Sequence, residues 1–213
     1  QKREYLLQFK YYPEGNLRQF IEAKENAEVV SNVAWKFSVS LGIVNAVRAL
    51  HNSKYAHRDL KPDNVVMASN CDPLITDYGF NKKIIDTTDT IGGTPIFMPP
   101  EMKSDNVEYN LKIDMWNVGA LIHYIAVPKP FSWTHDWRQR IIDSCQEPGD
   151  KIMKESNWHY FIYCKYFHHI ILACVNENPD IRPSAEEVYY ALKKSMDLLL
   201  IHGPKLYDLF KVQ

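Results

Sequence analysis

From Ile113 to Val127 every residue is apolar except Asp114, Asn117 and His123. A helix with so little polar circumference has no face to give to water, so it must run through the middle of an assembly of other helices. Pro128 and Pro130 stop it on the C-terminal side. The expected architecture follows: mainly α, organised around a buried 113–127 helix, with a few short β-strands.

Other segments supply the surrounding pieces. Val33, Phe37, Leu41, Val44, Val47 and Leu50 recur every three or four residues, which predicts a long amphipathic helix over 32–51 capped by Ser31 or Asn32. Residues 4–12 are rich in aromatic and aliphatic side chains and stop at Pro13-Glu14-Gly15, a strand followed by a turn. A short helix is expected from Leu17 to about Glu25. Asn64-Val65-Val66-Met67 and Pro73-Leu74-Ile75-Thr76 read as a hairpin joined through Asn70-Cys71-Asp72. The polar stretch 81–95 reads as an exposed mobile loop. Further helices are expected over 136–145, 157–175 and 184–200, the last opened by a Ser184/Glu187 capping box.

Composition narrows the function classes. A hydrophobic fraction of 46% with 24% charged residues suits one globular domain over the 213 residues. A net charge of -1 gives no positive field for nucleic acid or an acidic membrane. The cysteines at 71, 145, 164 and 174 lack metal-site spacing and are too few for a disulfide scaffold, so they are expected to be reduced. Apolar runs such as 198–201 are short for a bilayer span, and no signal segment opens the chain, so a cytoplasmic location is expected. Gln1 is not an initiator residue, and an upstream segment is expected.

The chemistry concentrates in His57-Arg58-Asp59-Leu60-Lys61-Pro62-Asp63-Asn64, followed eighteen positions after Asp59 by Asp77-Tyr78-Gly79. Phosphoryl transfer needs an oriented hydroxyl, neutralised phosphate oxygens and held metal ions. Asp59 can accept a hydrogen bond from an attacking hydroxyl, Lys61 can meet growing negative charge, and Asn64 can offer a neutral oxygen to magnesium, with Asp77 as the second ligand. Gly79 is expected to let the backbone turn sharply after Asp77. Either triplet alone is weak; the two together, with a hairpin between them, are a strong signal.

With these motifs the chain resembles the eukaryotic serine/threonine protein kinase family from about Glu4 to Leu200. The resemblance implies a protein-kinase-like fold and a serine/threonine kinase using ATP and Mg2+ on a protein substrate. It implies Asp59 as catalytic base, Lys61 as the phosphate-contacting lysine, and Asn64 and Asp77 as metal ligands. Tyr78 stands where the family has Phe, and Pro99-Pro100-Glu101 where it has Ala-Pro-Glu; Gly93-Thr94 resembles the substrate-facing loop. Asp114 resembles the buried aspartate that braces the catalytic-loop backbone, and Arg182 the arginine that pairs with Glu101. Phe9-Lys10-Tyr11-Tyr12 resembles the gatekeeper and hinge, with backbone groups of Lys10 and Tyr12 bonding adenine over Val66; an ordinary edge strand is the other reading. Arg58 would receive a phosphate placed on Thr87, Thr88 or Thr90, aided by Lys82 or Lys83.

The resemblance makes residues 1–16 the last N-lobe strand and hinge, and 17–213 the C-terminal lobe. A glycine-rich loop and lysine strand do not fit ahead of Phe9, so this chain by itself is expected to be nearly inactive and to need an upstream N-lobe. Three readings follow: part of an active kinase, a one-lobed mimic that docks another kinase or its N-lobe, or a non-catalytic scaffold. The intact set of Asp59, Lys61, Asn64 and Asp77 favours the first.

Overall fold

The computed structural model describes residues 10–80, 82–83, 97–103, 110–127, 138–139 and 163–211; for 80, 82–83, 103, 163–164 and 203–211 the description is of the backbone alone. The chain order is α1 (Leu17–Glu22), α2 (Ala27–Ser31), α3 (Val33–Asn52), β1 (Tyr55–Ala56), β2 (Val65–Met67), β3 (Pro73–Ile75), β4 (Lys82–Lys83), α4 (Lys112–Ala126), α5 (His168–Cys174) and α6 (Ala185–Lys211). The mainly helical expectation holds. Residues 4–9 of the predicted 4–12 strand and most of the predicted 81–95 loop and 136–145 helix lie outside the described residues, and residues 10–12 form no strand.

α4 is the axis of the molecule, and every residue from Ile113 to Ala126 is buried. Its closest neighbour is α5. A Cβ added at Gly119 would lie 2.7 Å from the Cβ of Cys174 and 2.9 Å from Val175, so only glycine permits this approach. Helix α3 also packs against α4, capped by Asn32, whose side chain accepts from the backbone N–H groups of Ala34 and Trp35 at 2.8 and 3.3 Å. Phe37 stacks on Phe167 with ring centroids 4.4 Å apart, tying α3 to the turn of π-helix (Tyr163–Phe167) ahead of α5. Burying such a ring contributes roughly 1.5–3 kcal/mol. By length and composition α3 could cross a membrane, but it is built into this core.

The hairpin forms as expected, with Val65 opposite Ile75 and Met67 opposite Pro73. Val65 and Met67 enter the core, which turns Val66 to the opposite face. The preceding segment docks alongside: Asn16 bridges Val66, and the Met67 N–H donates to the Gly15 carbonyl at 2.9 Å. Gly15 has φ +71°, the left-handed turn that Pro13-Glu14-Gly15 foreshadowed.

Several boundaries differ from the expectations. The Leu17 helix gives way after Glu22 to a 3-10 turn at Lys24–Asn26. Lys82 and Lys83 pair with Ala56 and Tyr55, so the stretch predicted as loop from 81 begins with a short strand; two such residues carry no periodic signal of their own. The predicted 157–175 helix contains the π-turn before α5. Helix α6 opens with the Ser184/Glu187 capping box, Glu187 N–H to Ser184 Oγ at 3.2 Å and Ser184 N–H to Glu187 Oε2 at 2.7 Å. It then continues to Lys211, beyond the expected end at 200.

Lys36 is the buried residue least expected from its sequence. It is 3% exposed and donates through Nζ to the Ala126 carbonyl at 2.9 Å, at the C-terminal end of α4 where a helix favours a cation. Burial pushes its ammonium down from 10.5 to about 8. Between those values the unfolded chain keeps a proton that the folded chain releases, so stability rises with pH. Cys174 works in the opposite sense: burial raises its thiol from 9.0 to about 12, and above 9 the unfolded state loses a proton that the folded state keeps. Stability should therefore climb by about 1 kcal/mol between roughly pH 8 and 9, hold level up to about 10.5 while the two opposite slopes cancel, and decline above that. Urea midpoints measured from pH 7 to 10.5 check this, and Lys36→Met should remove the rising limb. A midpoint that falls steadily from pH 7.5 in the unmodified protein would contradict the assignment.

Candidate active site

Asp114 sits in the first turn of α4 with no exposure, and its carboxylate anchors the loop above it. Oδ2 accepts from the His57 backbone N–H at 2.8 Å and lies 2.8 Å from His51 Nε2; Oδ1 accepts from the Arg58 N–H at 2.8 Å. Between these anchors Arg58 adopts φ +73°, a left-handed conformation that costs a non-glycine residue roughly 1–2 kcal/mol. Two carboxylate bonds to consecutive amides can hold such a backbone in place. The result is a loop fixed from below, with its side chains directed by their neighbours.

Three of the sequence-selected residues form one hydrogen-bonded cluster. Lys61 Nζ donates to Asp59 Oδ2 at 2.8 Å, and Asn64 Nδ2 donates to the Asp59 carbonyl at 2.8 Å and to Asp59 Oδ2 at 3.0 Å. Because its amide nitrogen is engaged by Asp59, Asn64 keeps Oδ1 for another partner. Asp59 is 4% exposed, whereas Asp77 is exposed. The hairpin joins the two: the Asn64 carbonyl accepts from the Thr76 N–H at 2.9 Å, and His57 Nε2 lies 3.0 Å from the Thr76 carbonyl, one residue before Asp77.

At Asp77 the expectation about Gly79 is corrected. The left-handed turn belongs to Asp77 itself, φ +61°, and not to Gly79. Gly79 instead approaches Asp77, its N–H 3.4 Å from Oδ1, and an added Cβ would sit 3.3 Å from that oxygen. Tyr78 packs its ring against His57, centroids 5.4 Å apart, and donates its hydroxyl to the Ile75 carbonyl at 3.0 Å, a bond unavailable to phenylalanine.

The other selected residues lie around this cluster or below it. Lys10 is exposed, its ammonium 5.2 Å from the Tyr12 ring centroid, and Tyr12 is half-buried on the segment that leads through Gly15 and Asn16 to Val66. Arg58 is buried beside the cluster, while Thr87, Thr88, Thr90 and Thr94 lie outside the described residues. Farther down, Arg182 holds Glu101 in a two-point pair of 2.5 and 2.7 Å. The same guanidinium donates to the carbonyls of Asn176 at 2.7 Å and Lys112 at 3.0 Å and lies 5.1 Å from the Trp116 ring centroid. Asn117, unremarked in the sequence except as a polar break in α4, donates to the Phe97 carbonyl at 2.7 Å and ties the segment before Pro99 to the central helix.

The donor set fits a hard divalent cation. Asn64 Oδ1 and the Asp77 carboxylate are neutral and anionic oxygens on adjoining elements, and magnesium takes one or two protein oxygens with water and phosphate completing its shell. Among the described residues no group of three or more His, Cys, Asp or Glu forms a closed metal cage.

The site thus consists of a helical lobe, a braced loop carrying Asp59, Lys61 and Asn64, a hairpin and an Asp-Tyr-Gly turn. The protein kinase domain family matches residues 1–191, and the chain belongs to that family. It is 28% identical to Serine/threonine-protein kinase 4 homolog A of Dictyostelium discoideum over 155 residues, covering 70% of this chain and 32% of that protein. It is 28% identical to Serine/threonine-protein kinase Nek9 of Mus musculus over 188 residues, 85% of this chain and 18% of the other. A shorter stretch of 78 residues is 41% identical to cAMP-dependent protein kinase type 3 of Saccharomyces cerevisiae, 37% of this chain and 19% of that protein. The chain thus spans a third or less of the length of these relatives.

Proposed function

We propose that this chain carries the catalytic loop of a serine/threonine protein kinase that transfers the γ-phosphoryl group of ATP, with Mg2+, to a protein hydroxyl. Residues 1–16 then serve as the last strand and hinge of a smaller lobe, and 17–213 as the larger lobe, with an upstream N-lobe required for full activity. The observation that carries this reading is the single cluster of Asp59, Lys61 and Asn64, joined through Thr76 to Asp77.

ATP bound with magnesium would supply the transferable group and part of the charge neutralisation. In this reading Asp59 accepts the hydrogen bond of the incoming hydroxyl and aims its lone pair. Lys61, now paired with Asp59, is placed to meet negative charge as it grows. Asn64 Oδ1 and the Asp77 carboxylate hold the metal, and backbone groups of Lys10 and Tyr12 orient the base over Val66. Arg58 receives a phosphate from Thr87, Thr88 or Thr90.

The test uses the full-length protein. A fluorescent ATP analogue should bind at least about tenfold more tightly with Mg2+ than with chelator, and Asp77→Ala should erase that difference while leaving metal-free binding alone. Label from γ-phosphate should appear on serine or threonine of a general acceptor protein such as casein. Binding that ignores magnesium, together with no labelled hydroxyl residue, would end the proposal.

A further inference from the structure

Arg18 and Asp63 lie 45 positions apart, yet their side chains meet in a forked pair: Nε to Oδ1 at 2.9 Å and Nη2 to Oδ2 at 2.8 Å. Asp63 is the middle residue of the 3-10 turn Pro62–Asn64, which is closed by the Asn64 N–H on the Lys61 carbonyl at 3.0 Å. On one side of this turn Asn64 grips Asp59; on the other, Asp63 grips α1. That helix is itself fixed at its start by a capping box, Asn16 Oδ1 accepting the Gln19 N–H at 2.9 Å and Gln19 Oε1 accepting the Asn16 N–H at 3.0 Å. Just ahead of the helix, Gly15 and Asn16 are bound to Met67 and Val66 of β2.

These links close a ring: segment 12–16, α1, the Arg18–Asp63 fork, the 62–64 turn, β2, and back to Gly15. Every link but the fork is covalent or backbone. We propose that the Arg18–Asp63 pair is a positioning pair that sets the orientation of the 62–64 turn, and through Asn64 that of Asp59, relative to the segment 10–15; its catalytic consequence rests on the kinase reading above. A planar guanidinium binding both carboxylate oxygens fixes rotation as well as distance, which an ammonium cannot do. The fork also holds the Asp63 carboxyl below its usual range, chiefly through the hydrogen bonds from Arg18.

Side-chain exposures of 33% and 39% make the pair a weak contributor to global stability. Local order and global stability should therefore separate. In the full-length protein, hydrogen exchange at the Asn64, Val65 and Met67 amides should accelerate about fivefold in Arg18→Lys and in Asp63→Asn, with α3 and α4 unaffected. The double variant should go no further than either single one. Melting temperatures should stay within about 2 °C of the parent, and kcat should fall about tenfold with little change in KM for ATP. Unchanged exchange at 64–67 in both single variants overturns the pair's role, and so does faster exchange spread through α3 and α4 with a matching drop in melting temperature. Exchange needs no turnover, so it judges the pair even if the kinase reading fails; that failure would show separately, as no difference in transfer between the parent and Asp59→Asn.

Discussion

Asp59→Asn in the full-length protein should lower phosphoryl transfer by about 10^2–10^4, the range a positioned general base contributes, while the domain melts close to the parent temperature. The two outcomes follow from different properties of one side chain. Asparagine has nearly the volume of aspartate, so the buried position, 4% exposed, stays filled. Its Oδ1 can still accept from Asn64 Nδ2, and the backbone carbonyl of residue 59 still accepts the bond of 2.8 Å from the same nitrogen. What disappears is the anion. The hydroxyl then loses its proton-accepting neighbour, and Lys61 Nζ, now 2.8 Å from Oδ2, faces a neutral amide oxygen in place of a carboxylate. Initial rates with labelled ATP and a thermal melt on the same preparation measure both. Transfer within a few-fold of the parent would remove Asp59 from the chemistry, and a collapse of the melting temperature would mean that the charge is needed for folding.

The sequence disclosed those features whose cause is local. α4 declared its burial because nearly its whole circumference is apolar, and the hairpin showed itself as two short runs around a polar turn. The Ser184 cap needs only a residue three positions away. Of the features caused by distant contacts, the resemblance implied the Asp114 brace and the Arg182–Glu101 pair, and the others stayed hidden. Lys36 looks like a surface cation on an amphipathic helix until the end of α4 is seen 90 positions away in sequence, reaching it through the Ala126 carbonyl. Arg18 and Asp63 have no shared local pattern that would announce their meeting. The left-handed turns at Arg58 and Asp77 escaped for another reason: neither residue is glycine, and at Arg58 the Asp114 carboxylate rather than propensity keeps the backbone there. Three selected side chains, at 59, 61 and 64, do come together, and Asp77 follows Thr76, whose N–H is bonded to the Asn64 carbonyl, because the loop and the hairpin are a single continuous piece. The bracing by His51 was missed, since a histidine at a helix end is no signal without the Asp114 carboxylate 2.8 Å away.

Glu101→Ala should destabilise the fold by about 3–5 kcal/mol, the cost of leaving a buried partner charge uncompensated. The reasoning turns on which partner is able to reach water. The Arg182 side chain has no exposure, whereas Glu101 retains 18%. Without the carboxylate, Arg182 cannot shed its proton at any accessible pH, and its surroundings offer backbone carbonyls, among them those of Asn176 and Lys112, and the face of Trp116. Those groups satisfy some donors and leave the charge unbalanced. Glu101→Gln should cost less, because the amide oxygen still accepts one of the two bonds. Combining Glu101→Gln with Arg182→Met should cost less than the two single changes added together, since the uncompensated charge has been removed along with its partner. Urea unfolding of the parent and these variants at pH 7 and one salt concentration supplies the comparison, with equal denaturant slopes needed before midpoints are converted. A loss below about 1 kcal/mol for Glu101→Ala, typical of an exposed pair, would show that water reaches Arg182 and that the pair does not lock the segment around Glu101 to the central helix.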